Sequence, residues 1–173
     1  AKSGADIIYA GGDELTGFHW DRDALSEAFK TAHANGAKLV FGLPRINREG
    51  QKSQWLPYLK TVFEISGDGI IVSDLGGLEL ALSESDCPLY LNYTLNFFNR
   101  WSVELPFGRR LKQVTLSPEL TLAQIKELLK NLNDRELNTE CIVQGPIELM
   151  VSEYCPIGSV FGGENEGCRN YCR

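Results

Sequence analysis

The sequence has little of what marks several enzyme and membrane protein classes. Its 173 residues include only two histidines, and neither a His-Glu-x-x-His nor a Gly-x-Ser-x-Gly motif is present. The usual signatures of zinc peptidases and of serine hydrolases are therefore missing. The chain also lacks an apolar run of about 18 residues and a charged-then-apolar opening segment. We therefore expect no membrane partner.

Positive charge is scarce as well. Lys and Arg total 17 against 23 Asp and Glu, which gives a net charge of −6. This balance disfavours a strongly basic nucleic-acid-binding surface, although a local basic patch stays compatible with it. The five cysteines are an odd number without an export signal, which favours a reducing compartment. We therefore expect a cytoplasmic protein.

What the sequence does contain is a repeated alternation of strand and helix patterns. Nearly continuous apolar runs, typical of parallel strands covered by helices, occur at residues 6–10, 38–42, 69–72, 89–92, 113–116 and 141–144. Helical patterns occur at residues 23–35, 53–65, 76–83, 95–105 and 122–132. Thr121 is the predicted N-cap of the last helix, and Gly36 follows the first. The alternation predicts an α/β architecture.

The α/β pattern is compatible with a closed barrel or an open doubly wound sheet, and we favour the barrel. A complete (β/α)₈ barrel takes about 250 residues, so six strands predict a partial TIM-type barrel. We assign residues 1–146 to this incomplete barrel and residues 147–173 to a truncated Gly/Cys-rich segment. We interpret the chain as a fragment whose partners include the remainder of its own longer chain.

Polar residues that follow the predicted strands are the candidate catalytic residues, because the carboxyl ends of barrel strands form the catalytic face. They are Arg45, Asp74, Asn92, Tyr93 and Glu119. Glu119 could act as a base or a hydrogen-bond acceptor, and Arg45 could hold an anionic group bidentately. The alternative for each is a helix cap or a loop salt bridge.

Six blocks of sequence, in order, resemble the collagenase-like peptidase family. They are residues 4–12, 43–46, 74–81, 92–99, 115–121 and 149–159. The resemblance implies a barrel-type catalytic domain followed by cysteines that bind a [4Fe–4S] cluster in several members. The family is named for collagen-degrading members, and others resemble oxygen-independent hydroxylases of tRNA, rRNA or a ubiquinone precursor.

Three cysteines in the glycine-rich carboxyl-terminal segment, Cys155, Cys168 and Cys172, are the candidate metal or cofactor ligands. Glycine-rich loops let several thiolates converge on one centre. Three cysteines are one short of the usual four, and Glu148 stands where the family pattern has a cysteine. Zinc is the alternative to [4Fe–4S], and the fragment could lack either for want of a ligand. Cys87 and Cys141 are predicted to be small buried hydrophobes.

Three functions remain open. The first is a peptidase domain acting on peptide or protein substrates, as the family name implies. The second is an iron–sulfur-dependent, oxygen-independent hydroxylase of tRNA, rRNA or a ubiquinone precursor. The third is a non-catalytic barrel in which a structural metal site holds the carboxyl-terminal segment. The sequence does not rank their substrates.

Overall fold

The computed structural model of the chain describes residues 4–11, 21–46, 52–65, 68–104, 110–132, 137–148, 150, 152, 154 and 156–161. Contacts divide the chain into two compact units, Ala1–Ile142 and Val143–Arg173. The first unit holds all the strands described below, and the second holds one short helix, Pro156–Phe161. The boundary that we expected from the sequence, between residues 146 and 147, stays a prediction.

Six parallel strands form one sheet in which each strand pairs with the next along the chain. The strands are β1 (Ile7–Gly11), β2 (Lys38–Gly42), β3 (Ile70–Val72), β4 (Leu89–Leu91), β5 (Leu111–Thr115) and β6 (Asn138–Glu140). The helices are α1 (Arg22–Ala34), α2 (Lys52–Ile65), α3 (Leu75–Glu84), α4 (Arg100–Val103), α5 (Leu122–Asn131) and α6 (Pro156–Phe161). The strand order never reverses, whereas it reverses in a doubly wound sheet.

The helices of the first unit pack on one face of the sheet. Alternate strand residues such as Phe41, Val72 and Leu91 are fully buried in the same hydrophobic cluster as Leu25 of α1 and Leu78 of α3. The intervening residues point to the opposite, inner face, since successive side chains of a strand alternate in direction. A second, smaller cluster there consists of Val40, Ile71 and Tyr90, with Ile7 packed against it.

The inner face is concave, because side chains of the two edge strands meet across it. The hydroxyl of Tyr9 in β1 lies 3.3 Å from both carboxylate oxygens of Glu140 in β6. In a flat sheet five inter-strand spacings would separate these strands by about 24 Å, which two side chains cannot span. The sheet is therefore curled into a half-barrel, and the predicted partial TIM-type barrel is confirmed.

The last strand is not where the sequence predicts it. We expected residues 141–144, but β6 is Asn138–Glu140, which pairs with β5 from Gln113 to Thr115. Within the described chain β6 has one neighbour, so it is chosen by its backbone pairing with β5 and not by an apolar run. Cys141 consequently lies beyond the strand and is exposed, and its expected burial in a strand is wrong.

The helix predicted at residues 95–105 is also wrong as a single element. A 3₁₀ turn covers Tyr93–Leu95, and Asn96 then adopts a left-handed conformation with φ 57°, which a helix cannot continue through. The chain restarts at Asn99, whose side chain accepts a hydrogen bond from the Ser102 amide at 3.0 Å and caps the short helix α4. Asparagine favours both conformations because its side chain bonds to nearby backbone.

Candidate active site at the barrel mouth

A network of four polar side chains crosses the inner face of the half-barrel. The Gln113 Nε2 group donates a hydrogen bond of 2.6 Å to the Tyr9 hydroxyl, which itself lies 3.3 Å from the Glu140 carboxylate oxygens. The Thr115 hydroxyl donates to Glu140 Oε2 at 2.8 Å. These four residues, Tyr9, Gln113, Thr115 and Glu140, are called the inner-face network below. It joins strand β1 to strands β5 and β6.

The period-two pattern of β5 places two members of the network inside the barrel. Gln113 and Thr115 are 8% and 4% exposed, whereas Val114 between them is fully buried against the helices. The register of β5 and β6 then pairs Thr115 with Glu140 at the carboxyl ends of both strands. The network therefore extends to the end of the barrel where (β/α) barrels carry their active sites.

The environment of Tyr9 keeps its hydroxyl protonated. Burial raises the pKa of Tyr9 above its usual range, and the negative charge of Glu140 together with the hydrogen bond to it raises the pKa further. The hydrogen bond from Gln113 opposes this shift but does not outweigh it. At neutral pH the hydroxyl consequently donates to the Glu140 carboxylate and accepts from the Gln113 amide.

Tyr90 supports the network from strand β4. Its ring meets the Tyr9 ring in a T-shaped contact, with centroids 6.2 Å apart and planes at 76°. Burial, and then the negative charge of Asp68, raise the pKa of Tyr90 as well. Gly69 lies against the same ring, and a Cβ added there would overlap the Tyr90 side chain and lie 2.8 Å from the Pro88 carbonyl oxygen. The absence of a side chain at Gly69 thus lets Tyr90 occupy the inner face.

A second polar group lies where β3 and β4 end. The Asn92 Nδ2 group donates to Ser73 Oγ at 3.0 Å, and the Thr94 hydroxyl donates to the Ser73 carbonyl oxygen at 2.6 Å. The Asn92 Oδ1 atom accepts from the Tyr93 amide at 2.8 Å. Two of the predicted catalytic residues, Asn92 and Tyr93, are thus joined in one hydrogen-bonded loop. Both are partly buried at the carboxyl end of β4.

The other predicted catalytic residues follow three different strands. Asp74, after β3, is the N-cap of α3 and accepts from the Gly77 amide at 2.6 Å. Glu119, after β5, is exposed, and its amide donates to Ser117 Oγ at 3.4 Å. Arg45, after β2, is partly buried. Asp74 thus acts as a helix cap, which was the alternative to a catalytic role. The catalytic roles of all five residues stay predictions.

Sequence reasoning missed the inner-face network. One signal was available, because Gln113 and Thr115 are polar at alternate positions of an apolar strand, which is the pattern of a polar inner face. The pairing of Tyr9 with Glu140 had no such signal, because only the curl of the sheet brings residues this far apart in sequence together.

The predicted ligands Cys155, Cys168 and Cys172 lie outside the described residues. Within the described part of the chain, no three His, Cys, Asp or Glu side chains are grouped so as to hold a metal ion. Cys87 is described: its thiol donates to the Phe63 carbonyl oxygen at 3.5 Å, and it is partly buried beside the core. The packing role expected for Cys87 is consistent with this position.

A surface cavity of about 550 Å³ lies near Cys87, at the opposite end of the barrel. It is lined by residues of α2, including Lys60 and Phe63, and by residues 84–88, which precede β4. This is the amino-terminal end of the strands, where side chains of a (β/α) barrel serve stability and not chemistry.

None of the described helices is both long and apolar enough to cross a bilayer.

Comparison with known proteins identifies relatives along the full chain. A protein of Methanocaldococcus jannaschii described as an uncharacterized protease is 31% identical over 95% of this chain and 42% of its own length. The tRNA hydroxylation protein P of Escherichia coli is 28% identical over 98% of this chain and 39% of its own length. The tRNA hydroxylation protein P of Helicobacter pylori is 26% identical over 98% of this chain and 42% of its own length.

The chain thus spans about two fifths of the length of these curated relatives. No solved structure is significantly similar to it. The sequence model of Peptidase family U32 matches residues 1–173, which is the whole chain. On this match the chain belongs to peptidase family U32.

Proposed function

We propose that this chain is the barrel-forming part of an enzyme that hydroxylates tRNA. The observation that carries the proposal is its alignment, over 98% of its length, with tRNA hydroxylation proteins of Escherichia coli and Helicobacter pylori. The inner-face network supports it, because amide, carboxylate and hydroxyl groups beside tyrosine rings are the groups with which proteins read an unstacked base. An RNA substrate also implies a cytoplasmic location.

The iron–sulfur centre is part of this proposal. Cys155, Cys168 and Cys172 fit such a centre by donor type, since thiolates are its usual ligands, and three of them supply all but one of the usual four. When bound, the centre would supply electron-transfer chemistry that protein side chains lack. The chain's own described residues would bind and orient the substrate at the barrel mouth.

Comparison of tRNA nucleosides in cells with and without the intact gene tests the function. We expect one hydroxylated nucleoside to disappear from the deletion strain and to return when the intact gene is restored. Mass spectrometry of digested tRNA measures both changes. An unchanged nucleoside profile in the deletion strain would count against tRNA as the substrate.

A peptidase is the second candidate, because a relative 31% identical to this chain is described as an uncharacterized protease. Glu119 is exposed beyond the end of β5, where it could act as a base toward a peptide. Hydrolysis of collagen-derived peptides by the metal-loaded intact protein, abolished by Glu119→Gln, would support this candidate. Undiminished hydrolysis by that variant would remove Glu119 from the mechanism.

A further inference from the structure

The inner-face network contains a buried polar atom that the described residues leave unmatched. Gln113 is 8% exposed, and its amide nitrogen donates to the Tyr9 hydroxyl. Among the described residues, none donates a hydrogen bond to the Gln113 amide oxygen. A buried carbonyl oxygen without a donor destabilises the fold, so native proteins pair nearly all of them. The atom therefore points to a ligand that provides the missing donor.

Glu140 has unused capacity of the same kind. Its carboxylate receives the Tyr9 and Thr115 hydroxyls, whereas a carboxylate offers about four lone-pair sites. The two hydroxyls also fix its orientation. A ligand that donates hydrogen bonds would thus meet two adjacent acceptors, the Glu140 carboxylate and the Gln113 amide oxygen. A ligand acceptor would meet the second N–H of the Gln113 amide.

Among the described residues, the carboxyl ends of β1 and β2 place no side chain over the network. Tyr9 is 37% exposed, although Gln113, which donates a hydrogen bond to its hydroxyl, is buried. Beyond Tyr9 the strands β1 and β2 end in Gly11 and Gly42, which are paired in register. Since neither glycine has a side chain, these two strands leave the approach to the Tyr9 ring uncovered.

We propose that the inner-face network recognises the edge of a nucleobase turned into the barrel mouth. This inference rests on the proposed function and names the residues that would select the base. A nucleobase edge carries N–H donors beside carbonyl acceptors, which match the Glu140 carboxylate and the Gln113 amide. Its flat ring would pack beside Tyr9 and Tyr90. The negative charge of Glu140 repels phosphate and so keeps the nucleic-acid backbone outside the barrel mouth.

The variant Glu140→Gln separates base recognition from the structural role of the network, which joins β1 to β5 and β6. Its amide oxygen still accepts from Thr115 and Tyr9, but an N–H₂ group replaces the second acceptor, so a ligand N–H loses its partner. We expect affinity for tRNA from the deletion strain to fall about tenfold or more, measured by fluorescence anisotropy with the intact protein. Free nucleosides should compete with this tRNA on the wild-type protein and lose that effect on the variant.

The matched control is Glu79→Gln, the same chemical change at an exposed position of α3. It should leave both the tRNA affinity and the urea unfolding midpoint unchanged.

Tyr9→Phe is the second variant, and it should weaken tRNA binding several-fold, because Glu140 loses a group that orients it. Should Glu140→Gln fail to fold, the Tyr9→Phe affinity decides the matter.

Two results would overturn the inference. If both variants lower the unfolding midpoint while tRNA affinity stays at the wild-type value, the network only joins β1 to β5 and β6. If Glu140→Gln changes peptide cleavage but not tRNA binding, the ligand is a peptide and not a base. Failure of the proposed function would give a different result from failure of this inference. The deletion strain would then keep all its hydroxylated nucleosides, while free nucleosides would still compete with tRNA in the binding assay.

Discussion

At the scale of single residues, the inner-face network is held together by one hydroxyl. Tyr9 is the common partner of Gln113 and Glu140, which lie on neighbouring strands across the barrel from it. Both partners would lose a hydrogen bond if that hydroxyl were removed. The Tyr9 hydroxyl therefore contributes both to the stability of the curled sheet and to the orientation of Gln113 and Glu140.

Stability at alkaline pH should report on this hydroxyl. The folded-state pKa of Tyr9 is raised above the ordinary value of about 10, so the folded state holds its proton after the unfolded state has lost it. The stabilisation is fully present below about pH 10 and is lost as pH rises through the folded pKa. We expect Tyr9→Phe to show a shallower fall of unfolding free energy above pH 10 than the wild-type protein.

Denaturant titrations at several alkaline pH values measure that slope. Tyr90→Phe is the comparison variant, because the pKa of Tyr90 is also raised and contributes a parallel loss. Equal slopes in the wild-type protein and in Tyr9→Phe would show that Tyr9 is not shielded in the folded state.

Gly69 offers a second test at the residue scale. Its φ is +143°, and a Cβ there would overlap the Tyr90 ring, so Gly69→Ala combines backbone strain with overpacking. We expect a loss of about 2–4 kcal/mol in unfolding free energy. Gly36→Ala is the matched control: its φ is +74° but nothing lies within 4 Å of the added Cβ, so about 1 kcal/mol is expected. Similar losses in both variants would contradict the proposed clash.

At the scale of elements, helix starts are set by local side chains. Thr121 forms a capping box with Gln124 at the start of α5, as its position in the sequence predicts. Asp74 plays the capping role at α3. These contacts depend on residues at most three positions apart, which is why sequence reasoning can find them.

Loss of the Thr121 cap should be measurable without any change of fold. Thr121→Ala removes the hydroxyl that accepts from the Gln124 amide at 3.4 Å, and we expect about 1 kcal/mol of destabilisation. Thr121→Ser keeps a capping oxygen and should stay within a few tenths of a kcal/mol of the wild-type protein. Urea denaturation provides both values, and a Ser variant as unstable as the Ala variant would contradict the capping role.

Substitution of Asp74 tests whether it does more than cap α3. Asp74→Asn keeps a capping oxygen and should preserve stability, whereas Asp74→Ala should cost about 1 kcal/mol. We expect tRNA hydroxylation to survive Asp74→Asn if the carboxylate serves only the helix. Loss of the hydroxylated nucleoside with unchanged stability would instead support the predicted catalytic role.

At the scale of the whole molecule, Cys155, Cys168 and Cys172 are the residues that would hold the proposed cofactor. We expect Cys172→Ala to lose most of the iron bound by the anaerobically purified intact protein, because a thiolate ligand is removed. Cys87→Ala should keep its iron, since burial raises the pKa of that thiol and it donates to the Phe63 carbonyl. Visible absorption and metal analysis measure the result.

Two outcomes would change the assignment of the cofactor. A colourless protein with stoichiometric zinc would replace the iron–sulfur centre by zinc. A Cys172→Ala variant that loses its metal but keeps all its activity would favour the structural metal site instead.

The sequence by itself determined five of the six strands and most helices. Apolar runs indicate strands that are buried between a sheet and its helices, and this burial recurs along the chain. Prediction from the sequence failed at β6, because Asn138–Glu140 has no apolar run and is held by its pairing with β5. It failed again after β4, where the left-handed Asn96 ends a turn that apolar spacing would extend.

Only the tertiary structure decided which residues share the barrel mouth. Local pattern placed Asn92 and Asp74 after strands, but it could not bring Tyr9 to Glu140, which is 131 positions away. That meeting depends on strand order, register and curl, which are properties of the whole sheet. The sequence determined most of the strands and helices, and the curl of the sheet determined the site, because hydrogen bonds between distant strands have no local signal.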